Sequence, residues 1–178
     1  MPFPTYQFSS KRFTMRLMTL ADKNFYINLH QDPITCQHVG GVLSTEKALQ
    51  EFNFSLRLNR KGSILTFIIT EHAKDPHSIF SQELTQPAIG LCALVWNKYR
   101  SSVEMGIYLN SEHFGQGIAK EVLAELAKFA FKQLNIACLM IRTDAKNKAM
   151  LKAIKSLPYK LTTTDSKHCW QMNNPKFK

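Results

Sequence analysis

Acidic residues are scarce in this chain of 178 residues: 13 Asp and Glu stand against 23 Lys and Arg, a formal net charge of +10. The deficit disfavours a polycationic partner and favours an anionic one. Nucleic acid, an acidic protein, a membrane surface and a phosphate-bearing cofactor all fit, and so does a plain solvated basic surface. The cations are spread along the chain, densest at Lys146, Lys148, Lys152 and Lys155 and in the tail at Lys176 and Lys178. Cysteine is also sparse. Cys36, Cys92, Cys138 and Cys169 form no CxxC pair and have no His at zinc spacing, so neither a disulfide framework nor a metal site is expected. Long apolar runs are missing: the longest, near residues 88–96, is too short to span a bilayer. No unbroken apolar stretch near residue 1 reads as a secretory signal. The expectation is a soluble cytoplasmic protein without a membrane partner. The Walker GxxxxGK[ST] and the Rossmann GxGxxG are absent, as are the aromatic–basic strands of RNA-binding domains, which argues against nucleic acid.

Apolar residues make up 44% of the chain and Phe alone occurs twelve times, enough for a true core. The length suits one domain over residues 1–178, with its core at about 10–172. Strands are expected at residues 12–17, 64–70, 88–97, 102–109 and 138–143, with two short ones near 158–163 and 168–172. A first helix opens near Asp22 and stops at Asp32-Pro33, because the residue before proline avoids the helical region. A second runs from Ser44 to about Arg60, stopped by Lys61-Gly62. A third covers residues 117–134, with Ile118, Val122, Leu126, Phe129 and Ala130 on one face. A fourth covers 147–157 with Met150, Leu151, Ile154 and Leu157 inward. The stretch 72–86 is polar and reads as a loop. The fold class is therefore mixed α/β: an antiparallel meander followed by a strand–helix–strand crossover.

Residues 109–119 join a strand to a helix, with Gly115 and Gly117 flanking Gln116. Paired glycines let a backbone approach a ligand and turn successive N–H groups inward, and the following helix adds its own open amides. A pyrophosphate suits such a loop; a tight strand-to-helix turn that needs glycine explains the same pattern.

The stretch Glu104-Met105-Gly106-Ile107-Tyr108-Leu109, followed by Glu112-His113-Phe114-Gly115-Gln116-Gly117-Ile118-Ala119-Lys120-Glu121, resembles the central motif of the GNAT superfamily. It is most like the branch typified by the Rim ribosomal-protein N-terminal acetyltransferases, with its "EIGYxL…YWGKGIATEA" pattern. Arg12-Phe13-Thr14-Met15-Arg16, Asp32-Pro33 and Asn147 support the likeness, which covers most of the chain in order. The resemblance implies a mixed, mostly antiparallel sheet of six to seven strands, splayed centrally and flanked by about four helices. It implies acetyl-CoA as co-substrate, with no metal. Pantetheine would bond to the backbone of Ile107, Tyr108 and Leu109 like an added strand. The pyrophosphate would meet the amides of Gly115, Gln116, Gly117, Ile118, Ala119 and Lys120. Asn147 would bond near the thioester. Lys146, Lys148 and Lys152 would attract the 3′-phosphate, or form the wet face of their helix.

Acetyl transfer needs a neutral amine, a polarised carbonyl and a fate for the thiolate's proton demand. Glu104 is the candidate base; a salt-bridged strand glutamate is the other reading. Tyr108 is a candidate acid, with core packing as its alternative. His30, His38 and His113 read as structural or surface groups. The pattern is broken at Lys120, Met150 and Pro158-Tyr159, and Ala153 and Ile154 stand where other branches carry a tyrosine acid. The acceptor is a primary amine, on a protein N-terminus or a small molecule. The charge favours an acidic protein over a polyamine. A non-catalytic acyl-CoA sensor is the competing class. The assembly is expected to be a monomer or homodimer.

Overall fold

The run ILTFIIT lies in a strand buried at every position from Leu65 to Thr70. Unbroken burial demands cover on both faces. In the computed structural model, which describes residues 6–72, 86–99, 102–164, 166 and 168–177, helices supply that cover from both sides. The strands are β1 (Gln7–Ser9), β2 (Phe13–Leu17), β3 (Ile64–Glu71), β4 (Ala88–Trp96), β5 (Val103–Leu109), β6 (Cys138–Arg142), β7 (Leu161–Thr163) and β8 (Cys169–Asn173). The helices are α1 (Lys23–Gln31), α2 (Pro33–Cys36), α3 (Thr45–Lys61), α4 (Ile118–Lys132) and α5 (Lys148–Lys155).

One sheet runs in the order β1-β2-β3-β4-β5-β6-β8-β7. Every neighbouring pair is antiparallel except β5–β6, which the α4 crossover makes parallel. Alternation along the strands sends their two side-chain rows to different cores. Phe67, Ile69, Leu94, Met105 and Leu139 meet Val122, Leu126 and Phe129 of α4 and Ile154 of α5. Ile68 and Leu91 meet Tyr26 and Leu29 of α1 and Phe52 and Leu56 of α3.

Among the described residues the sheet has eight strands, one more than the six to seven expected, and five α-helices accompany it, in keeping with about four. The additions are β1 and α2, of three and four residues. Neither is long enough to show a period. Asp32-Pro33 does end α1, but the same proline then serves as the first residue of α2, and Asp32 caps it by accepting from the Ile34 and Thr35 amides. Of the loop expected at 72–86, residues 73–85 lie outside the described residues, as does Lys178.

Candidate functional site

Strand β5 pairs with β4 along its whole length but with β6 only from Val103 to Met105, opposite Leu139 to Ile141. The phase of the β4–β5 ladder fixes which backbone groups turn where. Asn97 N–H donates to Ser102 O at one end and Asn110 N–H to Ile89 O at the other. With this phase, Glu104, Gly106 and Tyr108 bond toward β4, whereas Val103, Met105, Ile107 and Leu109 turn their amides and carbonyls toward β6. Past Met105 no described strand pairs on that side, which leaves a gap in the ladder at Ile107 and Leu109. The Leu109 carbonyl lies 3.0 Å from the Thr35 hydroxyl, which is also 2.5 Å from an Asp32 carboxylate oxygen. Hydrogen bonds from Thr35 and Ser111 hold the Asp32 carboxyl down to about 2. Helix α2 is thereby fastened to the end of β5. Of the three backbone positions expected to receive pantetheine, Ile107 and Leu109 face the gap; the groups of Tyr108 are engaged with Leu91 instead.

Beyond β5 the chain makes a short 3-10 turn (Ser111–His113) capped by Asn110, whose side chain accepts from the Glu112 amide. Gly115 and Gly117 follow with φ of 77° and 74°, the left-handed region. A Cβ at 115 would find no atom within 4 Å, and one at 117 only Arg12 Nη2 at 3.9 Å. The glycines answer to φ and leave open space beside the backbone. Helix α4 starts at Ile118 with no side-chain hydrogen bond at its N-cap, Gly117. Ile118 anchors in the core, Ala119 is half-buried and Lys120 is exposed. Arg12 reaches the loop from β2's edge: its Nη2 donates to Gln116 O at 3.1 Å and its Nε to Glu121 Oε2 at 2.8 Å. The Arg12 amide donates to Glu121 Oε1 at 2.9 Å. Burial raises the Glu121 pKa, but hydrogen bonds from Ser10 and Arg12 outweigh it, and the value is lowered.

Tyr108 packs on the α1/α3 core, so by alternation Glu104 shares its face of the sheet. The two are four residues apart, about 13 Å along the strand. Glu104 lies 3.6 Å from Arg142 of β6, both side chains about half exposed. Nothing local in the sequence pairs positions 104 and 142; the parallel register does. The Tyr108 ring stacks on His30, which stacks on Tyr26, with centroids 5.3 and 4.1 Å apart. His30 Nδ1 lies 2.8 Å from the Tyr26 carbonyl, an oxygen that only accepts. In the neutral ring Nδ1 therefore carries the hydrogen and Nε2 the lone pair. Burial pushes the His30 pKa down and that of Tyr108 up, so both are uncharged near neutrality. His113 is half-buried at the loop, and His38 is half-buried beyond α2.

Asn147 caps α5: its Oδ1 accepts from the Met150 amide at 3.0 Å, leaving Nδ2 as the donor it can offer a ligand. Lys146, Lys148 and Lys152 are exposed at that helix's first turns. Ile154 is fully buried, so no acid stands at its position. Among the described residues no cluster of His, Cys, Asp or Glu forms a metal site, and no helix is long and apolar enough to cross a membrane.

The chain matches the family model of an acetyltransferase (GNAT) domain over residues 12–160. An uncharacterised N-acetyltransferase, p20, of Bacillus licheniformis is 22% identical over 84% of this chain and 80% of its own. A putative ribosomal-protein-serine acetyltransferase from Vibrio cholerae superposes with a TM-score of 0.70 at 17% identity, covering 97% of this chain and 99% of that one. Spermidine N-acetyltransferase from Vibrio cholerae, solved with CoA and spermine, gives a TM-score of 0.71 at 16% identity over 93% of this chain and 97% of that one.

Proposed function

Because the chain belongs to the GNAT family and is thus an acyltransferase, we propose that it moves an acetyl group from acetyl-CoA directly to a primary amine, above all the N-terminal α-amine of an acidic protein. The observation that carries this reading is the gap beside Ile107 and Leu109, continuous in sequence with a glycine loop whose helix starts without a side-chain cap. The gap fits an extended amide-bearing arm bonded as a missing strand. The loop amides and the open start of α4 fit a pyrophosphate. Acetyl-CoA supplies an acetyl thioester, whose transfer forms an amide and releases a thiol while the amine gives up a proton.

The residues of the chain divide that work. Ile107 and Leu109 hold the donor arm, and residues 115–120 hold the phosphates, with Lys152 near the 3′-phosphate. Asn147 Nδ2 orients the carbonyl end. Glu104 takes the proton from the amine, directly or through water, with Arg142 3.6 Å away from it. Tyr108 keeps its proton because it is buried, and donates it toward the departing sulfur. The +10 charge supports an acidic acceptor and opposes a polyamine.

Calorimetric titration with acetyl-CoA, followed by thiol release with a panel of N-terminal peptides and small amines including spermidine, tests the reading. Binding with turnover on acidic-protein N-termini is expected; absence of binding overturns it, and binding without turnover points to a sensor. Glu104→Gln should lower kcat about a hundredfold, while the Kd for acetyl-CoA stays unchanged.

A further inference from the structure

A peptide plane with glycine on its C-terminal side can flip. Turning the 116–117 plane over would carry the Gly117 φ from 74° to the opposite sign, which glycine adopts as readily. Gly115, before it, has open space beside its backbone, while the Gln116 side chain is tied by Nε2 to the Glu112 carbonyl at 3.2 Å. Yet the loop's value to an anion depends on which way this plane faces. In a trans peptide the carbonyl of one residue and the N–H of the next point in opposite directions. One flip offers an amide hydrogen and the other a carbonyl oxygen, which repels phosphate.

Arg12 touches this plane. Its Nη2 donates to Gln116 O at 3.1 Å, so the Gly117 amide points the other way. The guanidinium does not swing freely, since Nε is held by Glu121 Oε2 at 2.8 Å, and Glu121 Oε1 takes the backbone amide of Arg12 at 2.9 Å. Glu121 itself is fixed in the first turn of α4. A carboxylate there otherwise works against an anion bound at the same helix start, so its presence calls for a reason. We propose that Arg12, held by Glu121, is a positioning residue that sets the 116–117 peptide with the Gly117 amide toward the acetyl-CoA pyrophosphate. This rests on the donor assignment above and adds to it a residue from the far end of the chain.

The test separates the donor's two halves. Arg12→Ala should weaken CoA binding by calorimetry about tenfold, the worth of one charge-assisted hydrogen bond. Its affinity for pantetheine, which lacks the pyrophosphate and is followed by nuclear magnetic resonance titration, should change less than about twofold. A partly unfolded variant would lose both ligands alike, so the ratio guards against a folding artefact. Glu121→Gln decides the sign. If these residues acted on CoA by charge alone, removing a carboxylate would tighten binding; the positioning role requires it to weaken about threefold. Equal loss of both ligands in a variant whose thermal unfolding midpoint is unchanged, an unchanged CoA affinity in Arg12→Ala, or tighter CoA binding by Glu121→Gln each overturns the role of Arg12. Failure of the unaltered chain to bind CoA overturns the donor assignment itself.

Discussion

Helices α3 and α4 cover opposite faces of one sheet, and they begin in opposite ways. They are similar in length, 17 and 15 residues, and each buries an apolar stripe: Ala48, Phe52 and Leu56 in the first, Val122, Leu126 and Phe129 among others in the second. Helix α3 is closed at both ends by its own chain. Ser44 accepts from the Lys47 amide, and Gly62, at φ 63°, returns its N–H to the Asn59 and Leu58 carbonyls. Helix α4 has glycine where α3 has serine, and no side chain caps it. The first turn of α3 has an amide satisfied by its own cap, whereas the N-cap of α4 has no side chain to offer. The contrast is stronger than the glycine pattern alone, because α4 is the more deeply buried of the two and yet has the less finished start.

Glycine replacements at the two ends should break the comparison most visibly. Gly117→Val and Gly62→Val each place a β-branched residue in the left-handed region, at a cost of about 1–2 kcal/mol. Denaturant unfolding should show similar losses. Calorimetry should show CoA binding weakened about tenfold or more in Gly117→Val alone. Equal CoA affinities in the two variants would mean that the α4 start is not the phosphate site. Ser44→Ala should cost about 1 kcal/mol of stability and leave CoA affinity untouched, because that cap serves only the fold.

The smallest effect is in pH. His30 lies in the last turn of α1, faced by Tyr26, Tyr108 and Glu51, and burial lowers its pKa from the usual 6.5. Its neutral form contributes stability that is whole above that value and lost as pH falls through the lowered one. Glu121, on the α4 side, also has a lowered value, from 4.5, so its contribution is lost only in the more acidic window below that. Thermal unfolding followed downward from pH 7.5 should weaken in two stages. His30→Gln should abolish the first, and Glu121→Gln should reduce the second, to which the lowered carboxyls of Asp22 and Asp32 also contribute. A single stage common to both variants would erase the distinction.

What could be read in the sequence were features with a period or a spacing. The α4 stripe, the apolar run of β3 and the glycine pair with residues 104–109 before it are local, and the family likeness rests on them. Elements of three or four residues, β1 and α2, leave no such trace. Contacts set by sheet register leave none either: Glu104 and Arg142 meet because β5 and β6 are parallel, and Tyr108 faces His30 because of the ladder's phase. Arg12 was visible only as part of a family pattern. Its hydrogen-bond partner lies across 109 residues, at Glu121.

The end of the β5–β6 pairing at Met105 and Ile141 has a consequence in time as well as in space. Past that point the protein carries a sheet edge inside its own sheet, where further strands on the far side deny a second copy the approach that exposed edges invite. The Ile107 and Leu109 amides there should trade their hydrogens with solvent quickly in the empty protein, although both ends of their strand are held. A bound donor should slow those two amides while leaving Tyr108, already paired on the other side, as it was.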